Sequence, residues 1–446
     1  MKRQVLALLL SAAILPAFPA QAQPAGFVST LATSEQAEAE RMILAALERP
    51  AVKAAQRKAR ALMLRHPMAK TPEGMARLDH AIEKWTLYTA SQVISADTVR
   101  PYPYWWVTNS AYSWFGHTFP GSGAAIDSPD NIYRSLTLDG SQRYVIKGQL
   151  RPMHPSQFSF QMVPAAGMIP SGTDLETIGV LTSGSMDIAP DGSFAITVDS
   201  EPANGRTNHL QSRPCLMKVI IRDTISNWRQ SANALSVTNL SQPNAKSTIT
   251  VDTLAERLAA ELPGVVSGWL GFISNYFAPQ QDNVLNGPVG RTGGWGFMSP
   301  IRFSLADDEA IVLTIDDLGA EYAAIQLCDV WMLAADPQKH LSSYTSAQAQ
   351  PNQDGTFTYV ISKTDPGARN WVDAAGWNRG WLQFRWQGTP LTRRDASGLV
   401  RSMRVVKLSA LKDAVSEPLD VTPAQRAAML QARAEEWRLR IAAPQP

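Results

Sequence analysis

The chain has 446 residues, is 45% hydrophobic and 18% charged, and carries a formal net charge of +2. That composition excludes a disordered chain, and near-neutral charge without a basic run excludes a nucleic-acid footprint. Thirteen Trp and 30 Pro point instead to a loop-rich protein with much flat aromatic surface.

Residues 1–22 read as a secretory signal peptide. Lys2 and Arg3 precede an apolar run from Val5 to Phe18, and Ala20-Gln21-Ala22 fits the small-x-small cleavage rule. The run is too short to span a bilayer, and no cysteine follows the cut to carry a lipid. The expectation is a soluble, periplasmic or secreted protein with no stable membrane anchor. Cys215 and Cys328 both sit in apolar strand-like runs. An oxidising compartment permits a bridge between them, and buried free thiols are the alternative. Their spacing suits no metal site, and no cofactor is expected.

Residues 23–98 form an N-terminal helical segment. Thr33 and Gln36 make a capping box for a helix that ends before Pro50. A second helix runs from about Val52 to Arg65, with Lys53, Arg57, Lys58 and Arg60 as a solvated face. Thr71, Pro72 and Glu73 start a third, with a cap, a first-turn proline and an acid at the positive end of the helix dipole.

At Arg100 the pattern changes. Pro101-Tyr102-Pro103-Tyr104-Trp105-Trp106 cannot continue a helix, and Gly121-Ser122-Gly123 matches no phosphate-binding loop. Residues 99–245 read as a first β half and 301–412 as a second. Asp139-Gly140, Asp191-Gly192 and Asp354-Gly355 stand between alternating apolar runs, as β-hairpin turns do. Between the halves, residues 246–300 form a helical insert: Leu254, Leu258 and Leu262 recur at helical spacing, and Pro263-Gly264 divides the insert into two helices. Thr422, Pro423 and Gln425 start a C-terminal helix within 413–446. The expected fold is mainly β, an antiparallel jelly-roll-like sandwich whose halves share one core, with a helical hairpin, an inserted helical pair and a C-terminal helix. No disordered linker separates the halves, so the apolar insert needs their surface to cover it.

Asp365 to Trp386 is the most unusual stretch, with four tryptophans from Trp371 to Trp386 and Asn370, Asn378 and Arg379 among them. It is either a packed corner of the sandwich or an aromatic wall facing a ligand. The chain has no G-x-S-x-G elbow, no H-E-x-x-H and no dinucleotide fingerprint, and its six His show no ligand spacing.

Longer motifs do stand out. They are Ser128-Pro129-Asp130-Asn131-Ile132-Tyr133-Arg134, Asn208-His209-Leu210 with Ile221-Arg222-Asp223, Gly293-Gly294-Trp295-Gly296, Gln326-Leu327-Cys328-Asp329-Val330-Trp331, and Pro351-Asn352-Gln353-Asp354-Gly355 leading to Asn370-Trp371. Together, over Arg100 to Gln387, they resemble a bacterial exported domain-of-unknown-function family that pairs a Pro-Asn/Asp-x-x-x-Tyr segment with an Asn-Trp-Leu segment. Val372 stands where that pattern has Leu, and Trp377 where it has a polar residue such as His. The resemblance implies a β-rich body with helical inserts and, for some members, a link to the catabolism of aromatic or steroid-like compounds.

The motif residues form a candidate site set. Tyr133, Asn208, His209, Asp223, Asp329 and Asn370 could exchange protons, Arg134, Arg222 and Arg385 could orient a polar ligand, and Trp295, Trp331 and Trp371 could stack on a ring. Two functions follow as expectations. One is binding of a small cyclic ligand, aromatic, steroid-like or sugar. The other is a metal-independent hydrolase or lyase of the same class, with His209 as acid or base and Tyr133, Asp329 or Asp223 as its partner.

Overall fold

The structure, a computed structural model, describes residues 27–124, 126–165, 176–290, 296–389 and 396–444. The expected signal peptide and Trp295 lie outside the described residues. The protein is mainly β, with several antiparallel sheets and a few helices.

The helices start where their caps say. Thr33 accepts from Gln36 N at the head of α1 (Ser34–Leu47), and Thr71 accepts from Gly74 N at the head of α3 (Pro72–Ile94). Between them α2 (Pro50–Arg65) buries Val52, Ala55, Ala59 and Met63 along one stripe and leaves Arg57, Lys58 and Arg60 exposed. The insert differs from expectation. It is one helix, α4 (Val251–Phe272), which runs through Pro263 and ends in a π turn over Ile273–Phe277. Pro263 removes a single hydrogen bond, whereas the buried row Leu254, Leu258, Leu262, Val265, Val266 and Trp269 holds the helix on both sides of it. Nor does α4 cover the sandwich as a separate layer; it packs against α1, α2 and α3, so the two helical segments form one bundle. No helix among the described residues is long and apolar enough to cross a membrane.

Each β half is a complete sandwich. The first has a five-stranded sheet in the order β1 (Tyr104–Val107), β4 (Asn131–Asp139), β10 (Leu216–Thr224), β6 (Gln157–Pro164), β7 (Gly179–Thr182). Its second sheet is β11 (Ala234–Asn239), β5 (Tyr144–Gln149), β8 (Ser193–Asp199), β9 (His209–Gln211). A small hairpin, β2 (Tyr112–Trp114) with β3 (His117–Phe119), stands apart. The other half repeats this plan. Its five-stranded sheet runs β12 (Val289–Gly290), β13 (Gly296–Ser304), β19 (Arg379–Gln387), β15 (Tyr322–Cys328), β16 (Ser343–Thr345). Its four-stranded sheet runs β18 (Trp371–Asp373), β17 (Phe357–Ser362), β14 (Glu309–Ile315), β20 (Val400–Lys407).

The two halves therefore share one topology, β4–β11 tracing the same path as β13–β20. Even the parallel strand pair recurs, β8 with β9 and β17 with β18. The register matches too: Thr224 pairs with Asn131 and with Gln157, as Gln387 pairs with Gly296 and with Tyr322. Arg222 is thus equivalent to Arg385, and Gln161 to Gln326.

The expected hairpin role of the Asp-Gly turns is corrected. Asp139-Gly140 links β4 to β5, Asp191-Gly192 leads into β8, and Asp354-Gly355 leads into β17, each time crossing from one sheet of a sandwich to the other. Gly192 and Gly355 sit at φ 81 and 83, and each preceding aspartate caps the next amide. Such chemistry reverses the chain but does not choose the strand it pairs with.

The single shared core is corrected as well. Phe158, Phe160, Ile146, Ile196 and Val219 fill the first sandwich, and Ile311, Tyr359, Leu382, Phe384 and Trp386 the second. Each such side chain contributes roughly 1.5–3 kcal/mol by leaving water. The sharing happens in a third cluster, where the helices, β1, Tyr133, Cys328, Trp331 and Trp381 meet. A C-terminal strap, α5 (Pro423–Arg438), adds to it: Arg433 donates to Ser343 O at 2.9 Å and lies 3.9 Å over the Trp228 ring, joining the two sandwiches. Cys215 is exposed and Cys328 buried, both as free thiols.

Candidate functional site

Side chains alternate across a strand, so a half-apolar strand in a five-stranded sheet keeps a second, outward face. On β10, Met217, Val219 and Ile221 point into the sandwich core, which puts Lys218, Ile220, Arg222 and Thr224 outside. By the same alternation Tyr133 on β4 and Gln157, Ser159 and Gln161 on β6 lie on this outer face. In the second sandwich Ala323, Ile325, Leu382 and Phe384 point inward, leaving Tyr322, Ala324, Gln326, Gln383, Arg385 and Gln387 outside.

The two outer faces come together along a polar seam. Thr224 Oγ1 donates to Asn131 Oδ1 at 2.6 Å and lies 2.9 Å from the Gln387 side-chain amide. Tyr322 OH reaches Asp130 Oδ2 at 3.4 Å, and Ser226 Oγ donates to Glu321 O at 2.9 Å. Gln326 Nε2 donates to Ile126 O at 2.8 Å and to Asp127 O at 2.6 Å. Arg385 Nη2 donates to Ile126 O at 2.6 Å, and its Nη1 to the Gln326 carbonyl. On the first sandwich Arg222 Nη1 donates to Gln161 Oε1 at 2.8 Å and stands 5.9 Å from the Tyr133 ring, which packs on Trp106.

Electrostatics mark the seam as well. Burial lowers the pKa of Arg222, with Tyr133 opposing and Arg385 adding to the effect. Burial pushes Asp127 up to about 7 against the Asn109 hydrogen bond of 2.5 Å and the Arg385 charge. The buried Ser135 Oγ, Ser159 Oγ, Asn131 Nδ2 and Gln387 Nε2 have no hydrogen-bond partner among the described residues. Buried polar atoms without a partner are uncommon and mark places where something else supplies the bond.

Of the expected site residues, Tyr133, Arg222 and Arg385 meet here. The other described ones make their contacts elsewhere in the fold. Arg134 and Asp223 form an ion pair of 2.5 Å inside the end of the first sandwich, where Asn233 Nδ2 donates to Asp223 at 2.8 Å. Asp329 caps the amides of Trp331 and Leu333 and takes Arg77 Nε at 3.0 Å, and buried Trp331 donates to Gly74 O at 2.9 Å. Asn208 braces Asp187 through both amide atoms, as Asn370 braces Gln350.

His209 and Trp371 occupy equivalent places in the parallel pairs β8–β9 and β17–β18, and each ties its strand down. His209 Nδ1 lies 2.9 Å from Thr197 Oγ1 and its Nε2 2.9 Å from Glu201 O, with Asp199 at 3.7 Å. Trp371 Nε1 donates to Ser362 O at 3.1 Å, under the Arg426 guanidinium at 5.2 Å. His209, Tyr133 and Asp329 thus belong to three hydrogen-bond networks with no shared member. Of the four tryptophans in the Trp-rich stretch, Trp371, Trp381 and Trp386 are buried, while Trp377 is partly exposed under the Arg77 guanidinium at 5.2 Å. Gln161, Gln326, Ser159, Thr224 and Gln387 were missed. Their signal was a lone polar residue on the outward beat of an apolar strand, as in Phe160-Gln161-Met162 and Ile325-Gln326-Leu327.

Among the described residues no group of three or more His, Cys, Asp or Glu could hold a metal ion. An open groove of about 1000 Å³ lies away from the seam, between Lys147, Phe194 and Leu235, and its charged lining groups, Lys147 and Asp187, are exposed.

Fold and seam together define a two-sandwich β protein with a helical bundle at its side. The model of a protein family of unknown function (DUF1214) matches residues 133–222, which span the first sandwich from Tyr133 to Arg222. The crystal structure of an uncharacterised protein from Burkholderia cenocepacia is similar over 80% of this chain and 96% of its own, at 23% identity and a TM-score of 0.65, a likeness of fold. A protein from Vibrio parahaemolyticus aligns over 64% of this chain and 90% of its own at 11% identity and a TM-score of 0.39. No curated protein matches the chain.

Proposed function

We propose that the protein is exported and binds a small cyclic molecule in the seam between its sandwiches. The observation that carries this is the set of buried polar atoms there without a partner, grouped around a half-buried arginine. A ligand site needs a few convergent polar groups beside an apolar wall. Ser159, Asn131, Gln161 and Arg222 are the former, and Tyr133 with Trp106 is the latter. A jelly-roll-like ancestry for each sandwich, and export through the N-terminal leader, belong to the same reading. This reading is favoured over a hydrolase or lyase built on His209, whose two ring nitrogens lie 2.9 Å from Thr197 Oγ1 and Glu201 O.

The test is a thermal-shift screen of the mature chain against sugars, aromatic acids and amides, and steroids. A ligand at a hundred times its Kd adds about 2.7 kcal/mol to the native state. Binding in the seam predicts a rise in Tm for one of these classes that Tyr133→Ala diminishes. A panel without any rise, or a rise indifferent to Tyr133→Ala and Thr224→Val, overturns the reading.

A further inference from the structure

Charge is unevenly matched where the C-terminal strap crosses the first sandwich. Arg433 and Arg440 are each only 5% exposed, and both lie over the Trp228 ring, at 3.9 and 4.7 Å. Arg433 is engaged at all three nitrogens: it donates to Pro337 O at 3.0 Å, to Ser343 O at 2.9 Å and to Ser343 Oγ. Arg440 differs. Its Nε and Nη2 are buried and have no hydrogen-bond partner among the described residues. These two atoms make up one edge of the guanidinium. Arg426 shows what that edge does when it is used, since its Nε and Nη2 hold the two oxygens of Asp365 at 2.8 and 3.1 Å. Two parallel N–H groups on a charged fork suit an anion.

The carboxylates around Arg440 are committed elsewhere. Asp130 takes Trp228 Nε1 at 2.6 Å and Tyr322 OH at 3.4 Å, and Glu436, partly exposed, takes Arg229 Nε at 2.9 Å. Two buried guanidinium groups thus share one buried carboxylate. Burial lowers the Arg440 pKa to about 9, with Asp130 opposing and Arg433 adding to the effect, so the group stays charged at neutral pH. A desolvated charge is costly unless a counter-charge accompanies it. Arg440 borders a cavity of about 10 Å³, together with Phe27, Ser29, Ile132, Ala232 and Leu439. That is room for one small, near-spherical occupant and not for a polyatomic ligand. The walls come from the N-terminal segment, the first sandwich and the strap. Two bonds already tie these together, Ser29 N to Ala442 O and Thr30 Oγ1 to Ala232 O, both at 2.8 Å.

We infer that this cavity binds one small monovalent anion of chloride size on the Nε–Nη2 edge of Arg440, and that the anion clasps the N-terminal segment and the C-terminal strap to the first sandwich. The site is separate from the seam ligand and does not depend on it.

The experiment uses the full mature chain, with sodium chloride, sodium bromide and sodium methanesulfonate as probes at one ionic strength. Chloride and bromide raise Tm along a saturating curve, as a ligand of the native state does, and methanesulfonate, too large for the cavity, does not. General salt effects act on both chains alike, so the reading is the difference between the native sequence and Arg440→Gln. The variant weakens the apparent halide affinity about ten- to a hundredfold, the range expected for one charged hydrogen-bonded contact. No halide rise above methanesulfonate, or a rise of equal size in both chains, overturns the site. If Arg440→Gln does not fold, crystals of the unaltered chain grown in sodium bromide decide the matter through anomalous scattering. A bromide peak beside Arg440 Nε and Nη2 bears the inference out, and peaks only elsewhere, or none, overturn it.

Discussion

The two sandwiches share strand order, register and an Arg–Gln pair, yet they use that pair differently. In the second, Arg385 and Gln326 fasten the loop at Ile126 and Asp127. In the first, Arg222 and Gln161 stand beside Tyr133 and the unpartnered Ser159 hydroxyl. The same contrast recurs at the parallel pair, where one sandwich ties its short strand with a histidine and the other with a tryptophan. A duplicated scaffold can spend the same pair of side chains on different contacts: Gln326 donates to two loop carbonyls, Gln161 to Thr177 Oγ1 at 2.7 Å. It also separates groups that matter to the fold from groups that do not, because equivalent positions can be compared within one chain.

The largest effects test the parallel pair. Trp371→Ala removes a buried ring and should cost about 3–5 kcal/mol in denaturant unfolding. His209→Ala, which deletes hydrogen bonds at the equivalent place, should cost only about 1 kcal/mol and leave any ligand-induced rise in Tm intact. Loss of that rise in His209→Ala would return His209 to the functional site. Next comes the Arg pair. Arg385→Ala should cost about 2–3 kcal/mol, since it removes one of the two donors to Ile126 O and unpins the Gln326 amide. Arg222→Ala should cost about 1 kcal/mol or less, and its main effect should fall on binding; equal losses of stability would erase the difference between the two pairs.

A further effect is a pH dependence. Burial raises Asp127 from its ordinary 3.8 to about 7 in the folded chain. The folded state therefore holds a proton that the unfolded chain has lost, so this group's contribution falls as pH rises through that window. Between about pH 6 and pH 8 the loss should be roughly 1.4 kcal/mol. Asp127→Asn should remove it, which unfolding midpoints of the two chains across that range will show.

Much of this was legible in the residues. The caps at Thr33, Thr71 and Thr422 mark true helix starts, because a side-chain oxygen beside a free amide is a local interaction. Alternation located the strands, and the motifs contained Tyr133, Arg222 and Arg385. The duplication was not legible, since equivalent positions such as Asp223 and Trp386, or His209 and Trp371, share register and not chemistry. Nor could alternation say what an outward face meets. That depends on how the two sandwiches dock, and it is why Gln161 carried no motif signal and Gln326 only that of its motif. Pro263 misled for a related reason: a local breaker gave way to the tertiary packing of α4.

The most direct test is a crystal structure of the mature chain with the compound that most raises its Tm. Seam binding predicts density beside Tyr133 and Arg222, within hydrogen-bond reach of Ser159 Oγ and bounded on its far side by the Arg385 sheet. Density only in the open groove by Lys147 and Leu235, or against His209, with the seam unchanged, would contradict it.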